Sequence, residues 1–260
     1  MSGRSHGSAA AYAEEQRVYH HRADGEHFVW QTTGPYFAAT EAALLGRIAV
    51  GPGQRLLEMG AGEGGNLFHL RSRGASCFGV DFSPQKAAFA QRATGAPFVA
   101  ADAGALPYAD ASFDVVLIRD LLHHLPDRMA ALAQAHRVLR PTGRLFLIEP
   151  NVFSPLALLQ ALTIPAERGI LHSTAERLQT ELAASGFRIV AQRPEQALPA
   201  ARVVLNPRFG RPALGARQEV AQALDVVERL AQRILPQRLW LYLSFEAVRM
   251  EPESAWPEGT

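Results

Sequence analysis

The chain has 260 residues, is 48% hydrophobic and 20% charged, and carries a formal net charge of +1. These values fit one large globular domain, and they leave no electrostatic footprint for a nucleic-acid partner. The lone cysteine, Cys77, excludes an intramolecular disulfide and a two-cysteine metal site, so no metal centre is expected.

The opening "MSGRSHGSAAAYAEEQ" lacks the apolar centre of a signal peptide. Residues 1–10 are small and polar, and are expected to fray. From Tyr12 to Val50 the pattern is mostly helical, broken by "TTGP" at Thr32 to Pro35. Strand and helix signals then alternate. Arg55 to Met59 reads as a strand and about Gly65 to Arg73 as a helix. Cys77 to Asp81 reads as the second strand. Ser83, Pro84 and Gly95 then supply the N-cap, first turn and stop of a helix.

Phe98 to Ala101 reads as a short third strand and Phe113 to Ile118 as a buried fourth, with Asp114 in a structural role. A helix follows from about Asp127 to Leu139, ended with the help of Pro141. Gly143 to Glu149 is the fifth strand. Such alternation calls for a parallel sheet covered by helices on both faces. The longest apolar stretch, "PLALLQALTIP", is too short to cross a bilayer, which fits a cytoplasmic location. It lies in a proline-punctuated segment, 150–172, that reads either as a lid over an apolar acceptor or as an ordinary packed helix.

Ser173 and Glu176 form an S-x-x-E pattern expected to cap the next helix. Strands are expected from Phe187 and within "LWLYLSFEAVRM". Between them Val220, Leu224, Val227, Leu230 and Ile234 recur at helical spacing and predict a core-facing amphipathic helix. Residues 194–239 hold seven arginines against four acids, an excess that more often marks a solvated face than an anion or membrane site. The tail "EPESAWPEGT" is expected to be loose.

The chemistry concentrates in "LLEMGAGEGGN", where Gly60, Gly62 and Gly65 match G-x-G-x-x-G between a strand and a helix. An acid, Asp81, lies 21 positions after Gly60. That pattern suits an adenosine cofactor at a helix N-terminus. The carboxylate Glu58, two residues before Gly60, is poor company for a pyrophosphate and suits a cofactor carrying an ammonium and a sulfonium. Asp81, closing the second strand, can accept from both ribose hydroxyls. Asp102, after the third strand, can accept from an adenine amino group.

With "GVDFS", "AADAGALPYADASFDVVLI" and "RVLRPTGRLFLIEPN" in that order, the chain strongly resembles the class I S-adenosylmethionine-dependent methyltransferases. The resemblance covers about Arg55 to Glu149, and the later helix and strands more loosely. It implies an α/β, Rossmann-like, seven-stranded, mainly parallel sheet with an antiparallel last strand, helices on both faces and an N-terminal helical cap. The cap would span 1–50, and the methyltransferase domain 51–260 with substrate-side insertions at about 150–172 and 194–239. The implied cofactor is S-adenosyl-L-methionine, held by Glu58, Gly60, Ala61, Gly62, Asp81, Phe82, Asp102, Ala103 and Arg119.

Methyl transfer from a sulfonium needs an aligned, desolvated nucleophile and, for a hydroxyl acceptor, removal of a proton. His123 and His124, after the fourth strand, are the first candidates for that base, and Glu149 the next. His20, His21, His27, Trp30 and Tyr36 are candidates for a roof over the site. The expected acceptor is a small or lipid-like molecule, with O-methylation the first expectation. An NAD-dependent oxidoreductase and a non-catalytic cofactor-binding protein are the alternatives. Nothing in the sequence sets the oligomeric state.

Overall fold

The computed structural model describes residues 5–21, 35–205 and 210–251. Two helices come first, α1 (Ser5–His20) and α2 (Pro35–Leu45). The alternating part runs β1 (Arg55–Met59), α3 (Gly65–Arg71), β2 (Ser76–Asp81), α4 (Pro84–Thr94), β3 (Phe98–Ala100), β4 (Phe113–Arg119), α5 (Arg128–Val138) and β5 (Leu139–Pro150). The last third contains α6 (Pro155–Thr163), α7 (Ala175–Ala184), β6 (Phe187–Glu195), α8 (Ala200–Val204), α9 (Gln218–Ile234) and β7 (Tyr242–Arg249). The seven strands form one sheet in the order β3-β2-β1-β4-β5-β7-β6. β7 is antiparallel to both its neighbours, while the pairings from β3 to β5 are parallel. This is the expected sheet.

Central strands are buried on both faces because apolar residues occupy both parities. Leu57, Met59, Val116, Ile118 and Leu147 enter one core. Leu56, Val115, Leu117, Phe146 and Ile148 enter the other. Asp114 fastens the lower end of the sheet: its carboxylate accepts from the Arg55 amide at 2.8 Å and from Arg140 at 2.6 Å. Ser83 caps α4 through the Lys86 amide, and Gly95 ends it with φ 66°.

Two sequence expectations are corrected. Thr174, not Ser173, caps α7 by accepting from the Arg177 amide, because the Ser173 hydroxyl is taken by Arg128 at 3.0 Å. And α9 is only partly core-facing. Leu224 and Ala231 are buried, but Val227, Leu230 and Ile234 stay exposed, because the small cluster under the helix covers only one edge of its apolar stripe. α1 already begins at Ser5, inside the stretch expected to fray. His27, Trp30 and the tail beyond Glu251 lie outside the described residues.

Strand order reverses between β1 and β4. At such a switch point the loops leaving the carboxyl ends of neighbouring strands diverge and open a crevice. Gly60, Asp81, Asp102, Arg119, His123 and His124 all lie near that edge.

Candidate active site

A cavity of about 1180 Å³ opens at the carboxyl ends of β1, β2 and β4. The glycine loop forms its floor. Gly60 and Gly62 have φ of 68° and 53°, a region that L side chains rarely adopt. A Cβ on Gly60 would sit 2.6 Å from Leu121, whereas one on Gly62 would meet nothing within 4 Å and would project into open space. Ala61 lines the cavity beside them, and its amide donates to Val80.

Asp81 ends β2 at the cavity wall. Its two carboxylate oxygens each accept one backbone N–H at 2.9 Å, from Gly62 and from Ser83. An ionised carboxylate has about four acceptor sites, so each oxygen keeps capacity for one more donor. Burial pushes the Asp81 pKa up, although these hydrogen bonds oppose the shift. Further along the wall lie the half-exposed ring of Phe82, then Asp102 and Ala103. Asp102 accepts from the Gly104 amide at 2.7 Å, which fixes its side chain at the turn.

Glu58 lies behind this wall and does not line it. It is buried, and one oxygen accepts from Asn66 at 2.5 Å while the other has no partner. Burial pushes its pKa up to about 8, with the nearby acids Asp81 and Asp120 adding to the effect. Glu58, expected from the sequence to be an anion, is thus held well above the usual carboxylate range by its burial. Asn66 reaches the cavity and accepts in turn from Arg119 at 2.8 Å.

Arg119 is buried at the end of β4 and paired with Glu41 of α2. Glu41 also meets Arg202 of α8 at 3.1 Å. Burial opposes the charge of Glu41, but the two guanidinium groups outweigh it and hold its pKa below the ordinary value. This triad ties α2 and α8 to the sheet edge and fixes one cavity wall. Next to it Asp120, at φ 51°, accepts from the Tyr242 hydroxyl at 3.2 Å.

The histidine pair follows on the 3-10 turn Leu122–His124. Glu149, at the end of β5, has a side chain that is 0% exposed and is not part of the cavity wall. One of its oxygens accepts from the Leu121 and Leu122 amides at 2.8 Å each, and the other from the His123 amide at 3.2 Å and ring Nδ1 at 2.7 Å. Burial opposes its charge, yet His123 and these donors bring its pKa down to about 2. For His123 burial likewise opposes the charge, but Glu149 and Glu167 raise the pKa to about 10. His124 shows the reverse: burial first, then the neighbouring His123 charge, bring it down to about 3. Its Nδ1 lies 3.1 Å from the Ala166 carbonyl.

α1 forms the roof. Tyr12 donates to the His123 carbonyl at 2.6 Å and Gln16 to Ala166 at 2.7 Å. His20 lies edge-on to Phe82 and His124. Ser83 donates to the His21 carbonyl at 2.9 Å. Tyr36 instead packs with the small cluster under α9. α6 and the 3-10 segment Pro165–His172 close the far side, with Leu156, Gln160, Ile164 and Glu167 facing the cavity. Asn66, Asp120, Glu167, Arg202 and Tyr242 are absent from the sequence-derived site. Of these Asn66 and Asp120 had a signal, the first closing the glycine stretch and the second adjoining the histidine segment; Glu167, Arg202 and Tyr242 come from distant parts of the chain.

Residues 57–147 match the family described as "Methyltransferase domain". The match spans the stretch whose ordered motifs resemble the class I S-adenosylmethionine-dependent methyltransferases. The curated relatives that the chain matches include demethylmenaquinone methyltransferases. That of Mycolicibacterium paratuberculosis is 42% identical over 111 residues, 43% of this chain and 46% of that protein. That of Mycobacterium sp. (strain KMS) is 41% identical over 102 residues, 39% of this chain and 44% of that protein. The chain spans less than half the length of these relatives. Among solved structures, phosphoethanolamine N-methyltransferase 2 of Haemonchus contortus, in complex with S-adenosyl-L-methionine, aligns with TM-score 0.65 and 19% identity over 92% of this chain and 60% of that one. The [4+2]-cyclase SpnF aligns with TM-score 0.52 and 23% identity over 81% of each chain. At these identities the two structures show the fold alone.

The lining is compatible with the cofactor of this class: Asp81 keeps acceptor capacity of the kind ribose hydroxyls need, Gly62 leaves room for close approach, Phe82 and Ala103 line the same wall, and Glu58 has an unpaired buried oxygen behind Asn66.

Proposed function

We propose that the protein transfers a methyl group from S-adenosylmethionine to an oxygen of an apolar, lipid-like small molecule. The observation that carries the proposal is one continuous cavity with a cofactor-type wall at Asp81 and Asp102 and an apolar wall at Leu156, Ile164, Leu241 and Val203. The cofactor, when bound, supplies an activated methyl group with a good leaving group. The chain's residues bind, orient and exclude water. α6 and its C-cap Ile164 present Leu156, Gln160 and Ile164 to the cavity, while α6 leaves Leu159 (56%) and Leu162 (68%) exposed on its outer side. An apolar acceptor matches the cavity-facing surface.

Neither histidine is tuned as a strong base. Glu149 and Glu167 push the His123 pKa up to about 10 and burial brings that of His124 down to about 3, whereas an efficient base has a pKa near the working pH. Glu149 is consumed by four donors. The reading therefore favours an acceptor that is acidic in its own right, such as a phenolic or enolic hydroxyl, with His124 orienting it. Transfer to a ring carbon is the second reading, supported by relatives named for demethylmenaquinone, a lipid quinone.

The test is incubation with methyl-labelled S-adenosylmethionine and a panel of apolar hydroxyarenes and quinols, with mass spectrometry and NMR locating the label. Label on oxygen supports the first reading and on carbon the second. Cofactor binding without transfer to any acceptor would favour a non-catalytic or differently reactive protein on this fold. Binding of NAD in place of S-adenosylmethionine would sink the assignment.

A further inference from the structure

The Nε2 of His123 and a carboxylate oxygen of Glu167 lie 3.3 Å apart. His123 directs Nδ1 at Glu149, 2.7 Å away, so a neutral ring donates its only proton there and turns the Nε2 lone pair toward Glu167. Two lone pairs at that distance repel unless a proton or a cation lies between them. A proton would satisfy these two groups and ignore a third. His124 lies beside them, its ring centroid 3.9 Å from that of His123, and the ligand atoms of His123, His124 and Glu167 all fall within 4.8 Å of one another.

We propose that His123, His124 and Glu167 bind a divalent first-row transition ion. Two imidazoles and one carboxylate form a set suited to zinc, iron or manganese and poorly suited to magnesium or calcium. The 3.3 Å separation of His123 and Glu167 corresponds, for metal–ligand bonds of about 2.1 Å, to an angle of roughly 104° at the ion, near tetrahedral. Two ligands at that bond length are at most about 4.2 Å apart, so His124 needs only a small rotation.

The outer partners of a metal site are also in place. Metal-binding histidines usually give their other ring nitrogen to a carboxylate or carbonyl, which fixes the ring. His123 has Glu149, itself fixed by three backbone amides, and His124 has the Ala166 carbonyl at 3.1 Å. A surface cluster of acids and histidines has no reason to carry such support. All three ligands line the cavity, so three protein ligands would leave open positions facing it. An oxygen-bearing acceptor can complete the shell there and be made more acidic, which supplies what the two histidines alone lack. This consequence rests on the methyl-transfer reading; occupation of the site does not.

The experiment measures binding without cofactor or turnover. Tag-free full-length protein, stripped with chelator, is titrated with Zn²⁺ by calorimetry and with Co²⁺ by visible absorption. The expected result is one ion per chain, Co²⁺ bands of a low-symmetry nitrogen–oxygen site, and affinity weaker by about 100-fold or more in Glu167→Gln and in His124→Gln. Equal affinity in wild type and both folded variants would place any ion elsewhere and overturn the proposal. If the variants do not fold, the wild-type Co²⁺ spectrum decides, since its absence leaves a proton between His123 and Glu167. Failure of the methyl-transfer assay leaves this result unchanged, so the two readings fail separately.

Discussion

Replacing Glu149 by Gln tests whether this residue anchors the loop after β4. Its two oxygens accept the amides of Leu121, Leu122 and His123 and the His123 ring. A glutamine keeps one oxygen and turns an NH₂ group toward donors on the other side. Removing one partner of a buried ion pair costs about 3–5 kcal/mol, because the remaining charge is left uncompensated. At about 2–4 °C per kcal/mol for a chain of this size, the melting temperature should fall by roughly 6–20 °C. The gap should also depend on pH. Glu149 is lowered to about 2, so its contribution is complete above its ordinary 4.5 and lost as pH falls through 2. His123 is raised to about 10, so its contribution is complete below its ordinary 6.5 and lost as pH rises through 10. Wild type and variant should differ most between about pH 4.5 and 6.5, and the gap should shrink gradually as pH falls toward 2 or rises toward 10. Denaturant melts at several pH values measure this. A loss below about 1 kcal/mol, independent of pH, would mean that the pair behaves like a solvated surface bridge and would refute the reasoning.

Asp81→Ala should weaken S-adenosylmethionine binding by about 1.5–3 kcal/mol, since ribose hydroxyls lose a charged acceptor; an unchanged calorimetric dissociation constant in a folded variant removes Asp81 from the site. Burial pushes the Glu58 pKa up to about 8, so a cofactor ammonium that draws out its proton should make binding strengthen with pH from about 5 to 8. A flat profile, or the same slope in Glu58→Gln, counts against that link. His124→Gln should slow turnover by less than the 100-fold expected on losing a base, because His124 orients more than it deprotonates; a larger fall with a shifted pH profile would restore it as the base. Segment 150–172 should gain hydrogen-exchange protection when acceptor joins cofactor, as Leu156, Gln160 and Ile164 face the cavity. Full protection in the free protein would identify a fixed core helix.

The sequence by itself determined the sheet and the placing of its acidic strand ends at the crevice. Strand periodicity, the Ser83–Pro84–Gly95 punctuation and the glycine loop are local properties, set by backbone sterics and by which neighbours in the chain are apolar. Asp81 and Asp102 were legible for the same reason: each follows directly on a strand whose end must face the crevice. The tertiary structure alone decided the roles of Glu58, Glu149 and the two histidines. Their types suggested acid–base work, but charge state depends on burial and on partners far away in sequence. Glu149 meets amides 26–28 residues earlier, and Glu167 reaches His123 across the cavity. The same holds for the triad of Glu41, Arg119 and Arg202, and for the exposed stripe of α9. Hydrophobic spacing reports that an apolar face exists; only packing decides whether something covers it.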